Sequence, residues 1–310
     1  MSEGGATHMR CGVVALAGRP NVGKSSLVNA LLKARAAIVS PKPQTTRKAV
    51  RCVYNDARGQ LVLIDTPGLY RPKEGDALGR FLTGSATCAL DDADVVCWLV
   101  EAGDREARDE DREAARVLVE SGKPVSLVAN KADLAAPEEA FALYEALWEG
   151  APFVARASVS ARTGDGLGEL IDMLVSRMPE GEPWYDPEIF VDATERYVAA
   201  EAIRGKALAL LRDEVPHCVA VEIHDYKSPD EYPERKMLYI RASVIVETEG
   251  QKAIVIGAGG RTIKRIGQSA RAELEDLTGW SVYLELWAKV SPHWRRDGAA
   301  LRRLGYALER

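Results

Sequence analysis

Long apolar runs, cysteine pairs and histidine clusters are all missing from this chain of 310 residues. No run of apolar residues approaches the roughly 18 needed to cross a bilayer, so we predict no membrane-spanning helix. The N-terminus lacks the basic-then-apolar pattern of a secretory signal. The five cysteines include no C-x-x-C pair, and the four histidines show no metal-ligand spacing, so we expect neither a disulfide framework nor a zinc site. Scattered unpaired cysteines favour a cytoplasmic location.

An overall excess of positive charge is also missing, because the net charge is −5. The distribution is uneven, however. Residues 251–310 carry 11 Lys and Arg against 6 Asp and Glu, whereas residues 182–250 carry 8 against 15. A basic C-terminal segment in an acidic chain predicts a local patch that binds phosphates.

The order of apolar and helical patterns predicts two domains, which also fits the length. After a leader of residues 1–10, strand-like runs alternate with helical patterns over residues 11–178. This alternation predicts an α/β domain with a mostly parallel sheet and helices on both faces. Three prolines within residues 179–187 predict a linker over residues 179–190. The order then changes to helix, two strands, glycine turn, helix and strand, which predicts an α+β domain over residues 191–310.

A phosphate-binding loop of the form G-x-x-x-x-G-K-S spans residues 18–25. Backbone N–H groups of such a loop wrap phosphates at a helix N-terminus, where the helix dipole adds positive potential. We expect Lys24 to reach the β- and γ-phosphates and Ser25 to offer its hydroxyl to Mg²⁺. The predicted phosphate-binding residues are Gly18, Asn21, Val22, Gly23, Lys24, Ser25 and Ser26.

Two further segments are expected to complete the phosphate end of this site. Asp65, in Asp-Thr-Pro-Gly at the end of a strand-like run, is predicted to hold Mg²⁺ directly or through water, and the Gly68 N–H to meet the γ-phosphate. In the polar segment 43–47, Thr46 is expected to add a second hydroxyl to Mg²⁺ when a γ-phosphate is present, with Thr45 as the alternative. Lys24, Ser25, Thr46 and Gly68 are therefore the predicted catalytic groups.

The segment Asn130-Lys131-Ala132-Asp133 follows an apolar run and fits a guanine ring. Asp133 accepts hydrogen bonds from N1–H and the exocyclic amine of guanine, and adenine offers neither group. A site built this way rejects the wrong base by roughly 10⁴-fold. We expect Asn130 to brace the loop and meet the base edge, the Lys131 stem to cover the ring, and Ser160 and Ala161 to touch the base. GTP and GDP are the predicted ligands.

Leu69 stands where Ras-like proteins place the glutamine that orients the attacking water. A leucine side chain does not polarise water, so we predict slow intrinsic hydrolysis. In GTPases that share this hydrophobic replacement, an asparagine at the position of Asn21 helps to hold K⁺ beside the phosphates. That similarity predicts K⁺-stimulated hydrolysis with Asn21 as a ligand.

The second domain contains the G-x-x-G turn Gly257-Ala258-Gly259-Gly260. The turn and the order of elements around it resemble a type II KH domain, in which such a turn clamps about four unpaired nucleotides. Arg261, Lys264 and Arg265 follow on the predicted helix, where they are expected to meet phosphates. The alternative is a plain turn without a ligand.

Aromatic and basic residues are interleaved in the tail that follows the last predicted strand. We expect His293, Trp294 and Arg295 to stack on bases. The alternative is a solvated basic face with Trp294 packed in the core, and the sequence leaves both open.

Together these motifs resemble the Era family, bacterial GTPases with a KH domain, from about Arg10 onward. The Trp-x-Lys-Val run at residues 287–290 adds to the similarity. The resemblance implies a factor in small ribosomal subunit assembly that binds the single-stranded 3′ end of small-subunit ribosomal RNA in its GTP state. Some relatives associate peripherally with the inner membrane, and we expect a monomer. Ala258-Gly259 departs from the family, since many relatives carry a basic residue there.

Two other functions are compatible with the same domains. One is a constitutive RNA-binding protein whose GTPase domain is only structural, and the other is a GTPase timer of an RNA-processing step. The intact Lys24, Ser25 and Asp65 argue against the first, and the second domain offers no catalytic constellation for the second. The preferred hypothesis is a switch in which the nucleotide orders the loops near Thr46 and Gly68 and thereby sets the posture of the RNA-binding domain.

Overall fold

The computed structural model describes residues 9–34, 37, 42 and 45–307. Most of the predicted leader, together with Pro43 and Gln44 of the polar segment and the last three residues, lies outside this part of the chain. The described residues form two compact units. The first contains 46–74, 79–192 and the described residues before 40, and the second contains 42, 45, 75–78 and the chain from Ala193 onward.

The first unit is built around one eight-stranded sheet of order β6-β5-β4-β1-β3-β2-β8, with β7 paired to β1. Its strands are β1 Met9–Ala17, β2 Val50–Asp56, β3 Gly59–Asp65, β4 Val95–Glu101, β5 Val125–Asn130, β6 Ala155–Ser158, β7 Glu180–Gly181 and β8 Val191–Asp192. The five strands β1, β3, β4, β5 and β6 are parallel. The predicted α/β fold with a mostly parallel sheet is confirmed.

Helices connect these strands, and the core lies between the two kinds of element. The helices are α1 Lys24–Leu32, α2 Ala77–Asp91, α3 Asp109–Ser121, α4 Glu138–Leu147 and α5 Leu167–Val175. The central strands are buried almost throughout, as expected for a covered parallel sheet. Trp98 of β4 is fully buried and meets Tyr144 of α4 edge to face at 5.2 Å between ring centroids.

The carboxyl ends of the parallel strands position the polar segments that the sequence singles out. The phosphate loop follows β1, Asp65 ends β3, Asn130 ends β5, and Ser160 follows β6 by two residues. In open parallel sheets, ligands bind at this edge because loops from neighbouring strands converge there.

The segment predicted to be a linker, residues 179–190, lies along the sheet of the first unit. β7 pairs antiparallel with β1, and β8 pairs antiparallel with β2. Between them, the side-chain amide of Gln60 donates to the Tyr185 carbonyl at 2.8 Å and accepts from the Trp184 N–H at 2.7 Å. The three prolines therefore belong to an ordered strap, which proline-rich composition by itself does not reveal.

The second unit has a three-stranded sheet of order β11-β10-β9, with helices packed on it. Its elements are α6 Glu195–Leu210, β9 Ala220–Lys227, β10 Leu238–Val246, α7 Glu249–Ile256, α8 Arg261–Thr278, β11 Val282–Val290 and α9 Gly298–Arg303. The order α-β-β-α-α-β is the predicted type II KH arrangement, which is confirmed. In the part of the chain that the structure describes, no helix is long and apolar enough to cross a membrane.

Candidate functional site

The phosphate loop holds the ammonium group of Lys24 inside its own curve. Nζ donates to the backbone carbonyls of Gly18 and Arg19, each at 3.0 Å, and the side chain is buried. Burial lowers the pKa of Lys24 to about 8, and the charge of Asp65 opposes that shift. Gly23 adopts φ 100°, and a Cβ there would lie 2.2 Å from the Asn130 amide, so only glycine fits.

Ser25, Thr46 and Asp65 bring three oxygen groups together beside Lys24. The Ser25 hydroxyl donates to Asp65 Oδ2 at 2.6 Å, Thr46 Oγ1 donates to the same oxygen at 3.1 Å, and the two hydroxyls lie 2.8 Å apart. Thr45 Oγ1 instead donates to the Lys42 carbonyl at 2.6 Å. Of the two threonines considered from sequence, Thr46 is the one beside Asp65.

The chemistry of this group fits Mg²⁺. Asp65 is fully buried, and its Oδ1 has no hydrogen-bond partner in the described part of the chain. Burial raises the pKa of this carboxyl, while the Ser25 hydroxyl and the charge of Lys24 oppose the rise. Among the described residues, no group of three or more His, Cys, Asp or Glu side chains is placed to hold a metal. One carboxylate with two hydroxyls suits a cation that takes its other oxygens from phosphates and water.

The loop after β3 lies directly on the phosphate loop. A Cβ on Gly68 would meet Cγ of Pro20 at 2.6 Å, and the Leu69 N–H donates to the Gly18 carbonyl at 3.1 Å. The Leu69 side chain is fully buried in the core. An apolar side chain packed in this way offers no polar atom to orient a water molecule.

Asp133 is held by two neighbours at the guanine end of the site. Its Oδ1 accepts from the Ser160 hydroxyl at 2.6 Å, and its Oδ2 pairs with the Arg162 guanidinium. The Ser160 hydrogen bond, together with the charge of Arg162, lowers the pKa of Asp133. Arg162 was not among the residues predicted from sequence, although it directly follows Ser160 and Ala161, and that position is the signal that points to it. A base that binds Asp133 therefore shares this carboxylate with Ser160 and Arg162 or replaces them.

Asn130 joins three loops with a single side chain. Its Nδ2 donates to the Val22 carbonyl at 2.9 Å, and its Oδ1 accepts from the Ala161 N–H at 3.1 Å. The bracing expected from the sequence is therefore present in the geometry, and both ends of the amide are occupied. Lys131 has φ 64°, and its Nζ pairs with Glu101 at 2.9 Å.

The remaining predicted phosphate-site residues lie where the loop and α1 meet. Asn21 is exposed with φ 67°, Val22 is fully buried, and Ser26 is in the first turn of α1. The structure thus brings every predicted nucleotide residue to one edge of the sheet. Direct contact with a nucleotide remains a prediction for each of them.

The glycine turn connects α7 to α8 in the second unit. Gly257 has φ 71° and ψ 170°, and a Cβ there would lie 2.2 Å from Thr262 Oγ1, so the turn requires glycine. Gly259 and Gly260 also have positive φ, and Ala258 and Gly259 are exposed. The Arg261 side chain donates to the Ala258 carbonyl at 3.1 Å. Lys264 and Arg265 are exposed on the first turns of α8.

The expectation that Trp294 of the tail stacks on a base is wrong, because this side chain is fully buried. Its Nε1 donates to the Cys218 carbonyl at 2.9 Å, and its ring stacks on Tyr306 at 6.0 Å between centroids. A buried indole with its N–H satisfied is a core residue, so the ring is not available to stack on a base. Arg295 pairs with Glu247 at 2.6 Å, while His293 is exposed.

Comparisons with known proteins cover both units. The family described as 50S ribosome-binding GTPase matches residues 13–131, and the KH domain family matches residues 214–295. GTPase Era of Leuconostoc citreum is 42% identical over 301 residues, covering 97% of each chain. GTPase Era of Aquifex aeolicus is 40% identical over 304 residues, covering 97% of this chain and 100% of the relative.

Two solved structures resemble this one over nearly its whole length. A crystal structure of Era in complex with MgGDPNP and nucleotides 1506-1542 of 16S ribosomal RNA has a TM-score of 0.90, with 40% identity. A variant of Aquifex aeolicus Era bound to GDP·AlF4⁻ has a TM-score of 0.89, with 39% identity. Each match covers 97% of this chain and 100% of the other. With this identity over nearly the full length of both chains, the protein belongs to the Era family of GTPases.

Proposed function

We propose that this protein hydrolyses GTP with Mg²⁺ and, in its GTP state, binds small-subunit ribosomal RNA near its 3′ end to assist maturation of the small ribosomal subunit. The observation that carries the proposal is the similarity to Era in complex with MgGDPNP and a 16S ribosomal RNA fragment, at 40% identity over 97% of this chain. The two ligands of that complex are a nucleotide and an RNA. This protein has a candidate site for the first in its first unit and for the second in its second unit.

At the phosphate end, backbone N–H groups of residues 21–24 bind the phosphate oxygens and Lys24 offsets the charge of the β- and γ-phosphates. Ser25, Thr46 and Asp65 are the residues that would hold Mg²⁺. When bound, this ion neutralises charge that develops on the phosphate oxygens during hydrolysis. The Gly68 N–H donates a hydrogen bond to the γ-phosphate, since the loop after β3 already lies on the phosphate loop.

At the base end, Asp133 selects guanine by accepting from N1–H and the exocyclic amine. Asn130 fixes the loop, the Lys131 stem covers the ring, and Ser160 and Ala161 line its edge. The Ser160 hydroxyl and the charge of Arg162 lower the pKa of Asp133, so these neighbours favour the ionised carboxylate that accepts hydrogen bonds. The site thereby excludes ATP, which would leave a carboxylate unpaired.

Hydrolysis is proposed to be slow without K⁺, because Leu69 does not orient water and Asn21 supplies a K⁺ ligand. Phosphate release is measured in K⁺ and in Na⁺ at matched ionic strength, for the wild type and for Asn21→Ala. We expect K⁺ to accelerate the wild type and to have little effect on the variant. Equal wild-type rates in the two salts would contradict a K⁺ site.

For RNA, the turn Gly257–Gly260 is proposed to clamp the sugar-phosphate chain. Arg261, Lys264 and Arg265 would bind phosphates, and His293 and Arg295 of the basic tail would stack on bases. The test is cross-linking of RNA in cells, followed by sequencing of the bound fragments. Wild type is compared with Gly257→Asp and with Gly279→Asp, which alters another glycine of positive φ, at the C-terminal end of α8.

We expect fragments near the 3′ end of small-subunit RNA with the wild type and with Gly279→Asp, and their loss with Gly257→Asp. Fragments spread over transfer or messenger RNA would contradict the proposed target and leave the GTPase assignment intact. Equal loss in both variants would indicate damage to the fold and would not support the turn as a clamp.

The family resemblance also supports a monomer in the cytoplasm with peripheral attachment at the inner face of the membrane. Light scattering of the purified protein tests the oligomeric state. Fractionation of cells before and after a high-salt wash tests the attachment. Release of a membrane-bound pool by salt is the expected result, and its complete absence from the membrane fraction would contradict peripheral association.

A further inference from the structure

Arg19, the second residue of the phosphate loop, is almost completely buried at 2% exposure. The loop pattern does not specify the residue at this position. Its guanidinium makes a two-pronged contact with Asp104, at 2.9 and 3.1 Å, and also donates to Asp111 at 3.3 Å. One side chain of the phosphate loop is therefore anchored to two acidic residues about ninety positions further along the chain.

The two carboxylates are themselves fixed by other elements. Asp104 accepts from the Tyr144 hydroxyl of α4 at 2.8 Å and from the Glu101 N–H at 3.1 Å. Asp111 accepts from the Arg108 N–H at 3.0 Å, which caps the start of α3. Both acidic groups are buried, so the acceptors that face Arg19 have little freedom to turn.

Stability by itself is a weak reason for such a cluster, because a buried ion pair often contributes no more than a well-packed apolar replacement. The position of Arg19 offers a more specific reason. The backbone carbonyls of Arg19 and of its neighbour Gly18 are the two acceptors of Lys24 Nζ. Anchoring the Arg19 side chain thus fixes the carbonyls that orient the phosphate-binding ammonium.

Glu101 extends the cluster to the guanine end of the site. Its Oε1 lies 3.1 Å from Nη2 of Arg19 and 2.9 Å from Nζ of Lys131. One carboxylate oxygen therefore bridges a residue of the phosphate loop and a residue of the guanine loop. This ionic link runs beside the separate hydrogen bond from Asn130 to the Val22 carbonyl.

We propose that Arg19 and Glu101 are positioning residues that hold the phosphate loop and the guanine loop at the spacing of one bound guanine nucleotide. The inference rests on the nucleotide site proposed above. Neither side chain needs to touch the ligand. Their effect is on how long the assembled site retains a nucleotide, because both loops must separate for the nucleotide to leave.

The test is the dissociation rate of mantGDP from the full-length protein, measured by stopped-flow chase with unlabelled GDP. Arg19→Lys keeps the charge but loses the planar two-pronged contact with Asp104. Glu101→Gln removes the charge of the bridging oxygen at a half-buried position and keeps the size of the side chain. Glu106→Gln is the matched control, with the same charge change at an exposed loop residue five positions on.

We expect Arg19→Lys and Glu101→Gln to release mantGDP about threefold faster or more, and Glu106→Gln to match the wild type. At saturating GTP, kcat of the two variants should stay within about twofold of the wild type while KM rises. A purely structural cluster would instead lower the melting temperature and the fraction of active protein without changing the dissociation rate. If Glu101→Gln lowers the melting temperature and leaves the dissociation rate unchanged, the inference is overturned. This variant does not depend on the folding of Arg19→Lys. Absence of mantGDP binding by the wild type would overturn the proposed nucleotide site itself, and this inference with it.

Discussion

The side-chain amide of Asn130 donates to the backbone carbonyl of Val22 at 2.9 Å, which joins the guanine loop to the phosphate loop across more than one hundred residues of sequence. The opposite end of the same amide accepts from the Ala161 N–H. Asn130 therefore acts on the site chiefly by fixing backbone groups of two other loops. Glycine at position 23 makes the approach possible, because a Cβ there would collide with the amide.

Asn130→Asp should weaken GDP binding by about 10- to 100-fold, because the substitution places a carboxylate oxygen against the Val22 carbonyl and leaves that buried acceptor without a donor. A mantGDP titration measures the change in affinity. Asn55→Asp is the matched control, since Asn55 Oδ1 accepts a hydrogen bond from Gln60 and a carboxylate oxygen can accept the same bond. Unchanged affinity in Asn130→Asp, or an equal loss in both variants, would contradict the bracing role.

Arg162→Ala should leave GDP affinity unchanged or raise it by up to about fivefold, since the Arg162 side chain is 72% exposed and solvent weakens its pair with Asp133. Removing the guanidinium frees the carboxylate for the base. The dissociation constant of GDP is compared at low and at moderate salt, and any gain should shrink as salt screens the pair. A clear loss of affinity would mean that Arg162 contacts the nucleotide.

Lys24→Gln should stabilise the nucleotide-free protein at neutral pH. Burial lowers the pKa of Lys24 from its usual value near 10.5 to about 8, so the folded state binds its proton less tightly than the unfolded state. The cost of the buried charge, up to about 3 kcal/mol, is fully present below pH 8 and is relieved as the pH rises towards 10.5.

Urea unfolding of the wild type and Lys24→Gln at several pH values between 7 and 10 measures this cost. The difference in free energy of unfolding should be largest at pH 7 and shrink towards pH 10. Lys33→Gln, at an exposed position, is the matched control for the loss of one lysine. A gap for Lys24→Gln that is constant across this range would show that the lysine is not desolvated.

Ala258→Lys should strengthen RNA binding and steepen its salt dependence, because the exposed second position of the turn then carries a cation beside the phosphates. Each added phosphate contact increases the salt slope by about one. Fluorescence anisotropy with a labelled RNA of the small-subunit 3′ end gives both quantities. Ala258→Gln controls for side-chain length, and an equal gain with Gln would exclude the charge as the cause.

Sequence predicts those parts of the site in which a short segment determines its own backbone conformation. Gly23 and Gly257 have positive φ and no room for a Cβ, and such demands are visible in a local pattern. Lys24 and Asp65 likewise follow from the segments that contain them. The burial of Trp294 could not be predicted this way, because its partners are contributed by the chain at Cys218.

The fold shows the same division between local and distant causes. Alternating apolar strands and amphipathic helices predict the parallel sheet, since each pattern is complete within ten to twenty residues. The pairing of β8 with β2 involves two residues, too few for any periodicity, and depends on contacts such as the one between Gln60 and Tyr185. The network around Arg19 is similarly invisible in sequence, because Asp104, Asp111 and Tyr144 converge only in the folded unit.

Control of RNA binding by the nucleotide is tested most directly by the affinity for a labelled RNA of the small-subunit 3′ end. It is measured with the wild type in the presence of GDP, a non-hydrolysable GTP analogue, or no nucleotide. We predict binding roughly fivefold tighter or more with the GTP analogue than with GDP, which is the smallest usual coupling between two sites. Equal affinity in all three states would contradict the account and favour a constitutive RNA-binding protein whose GTPase unit is only structural.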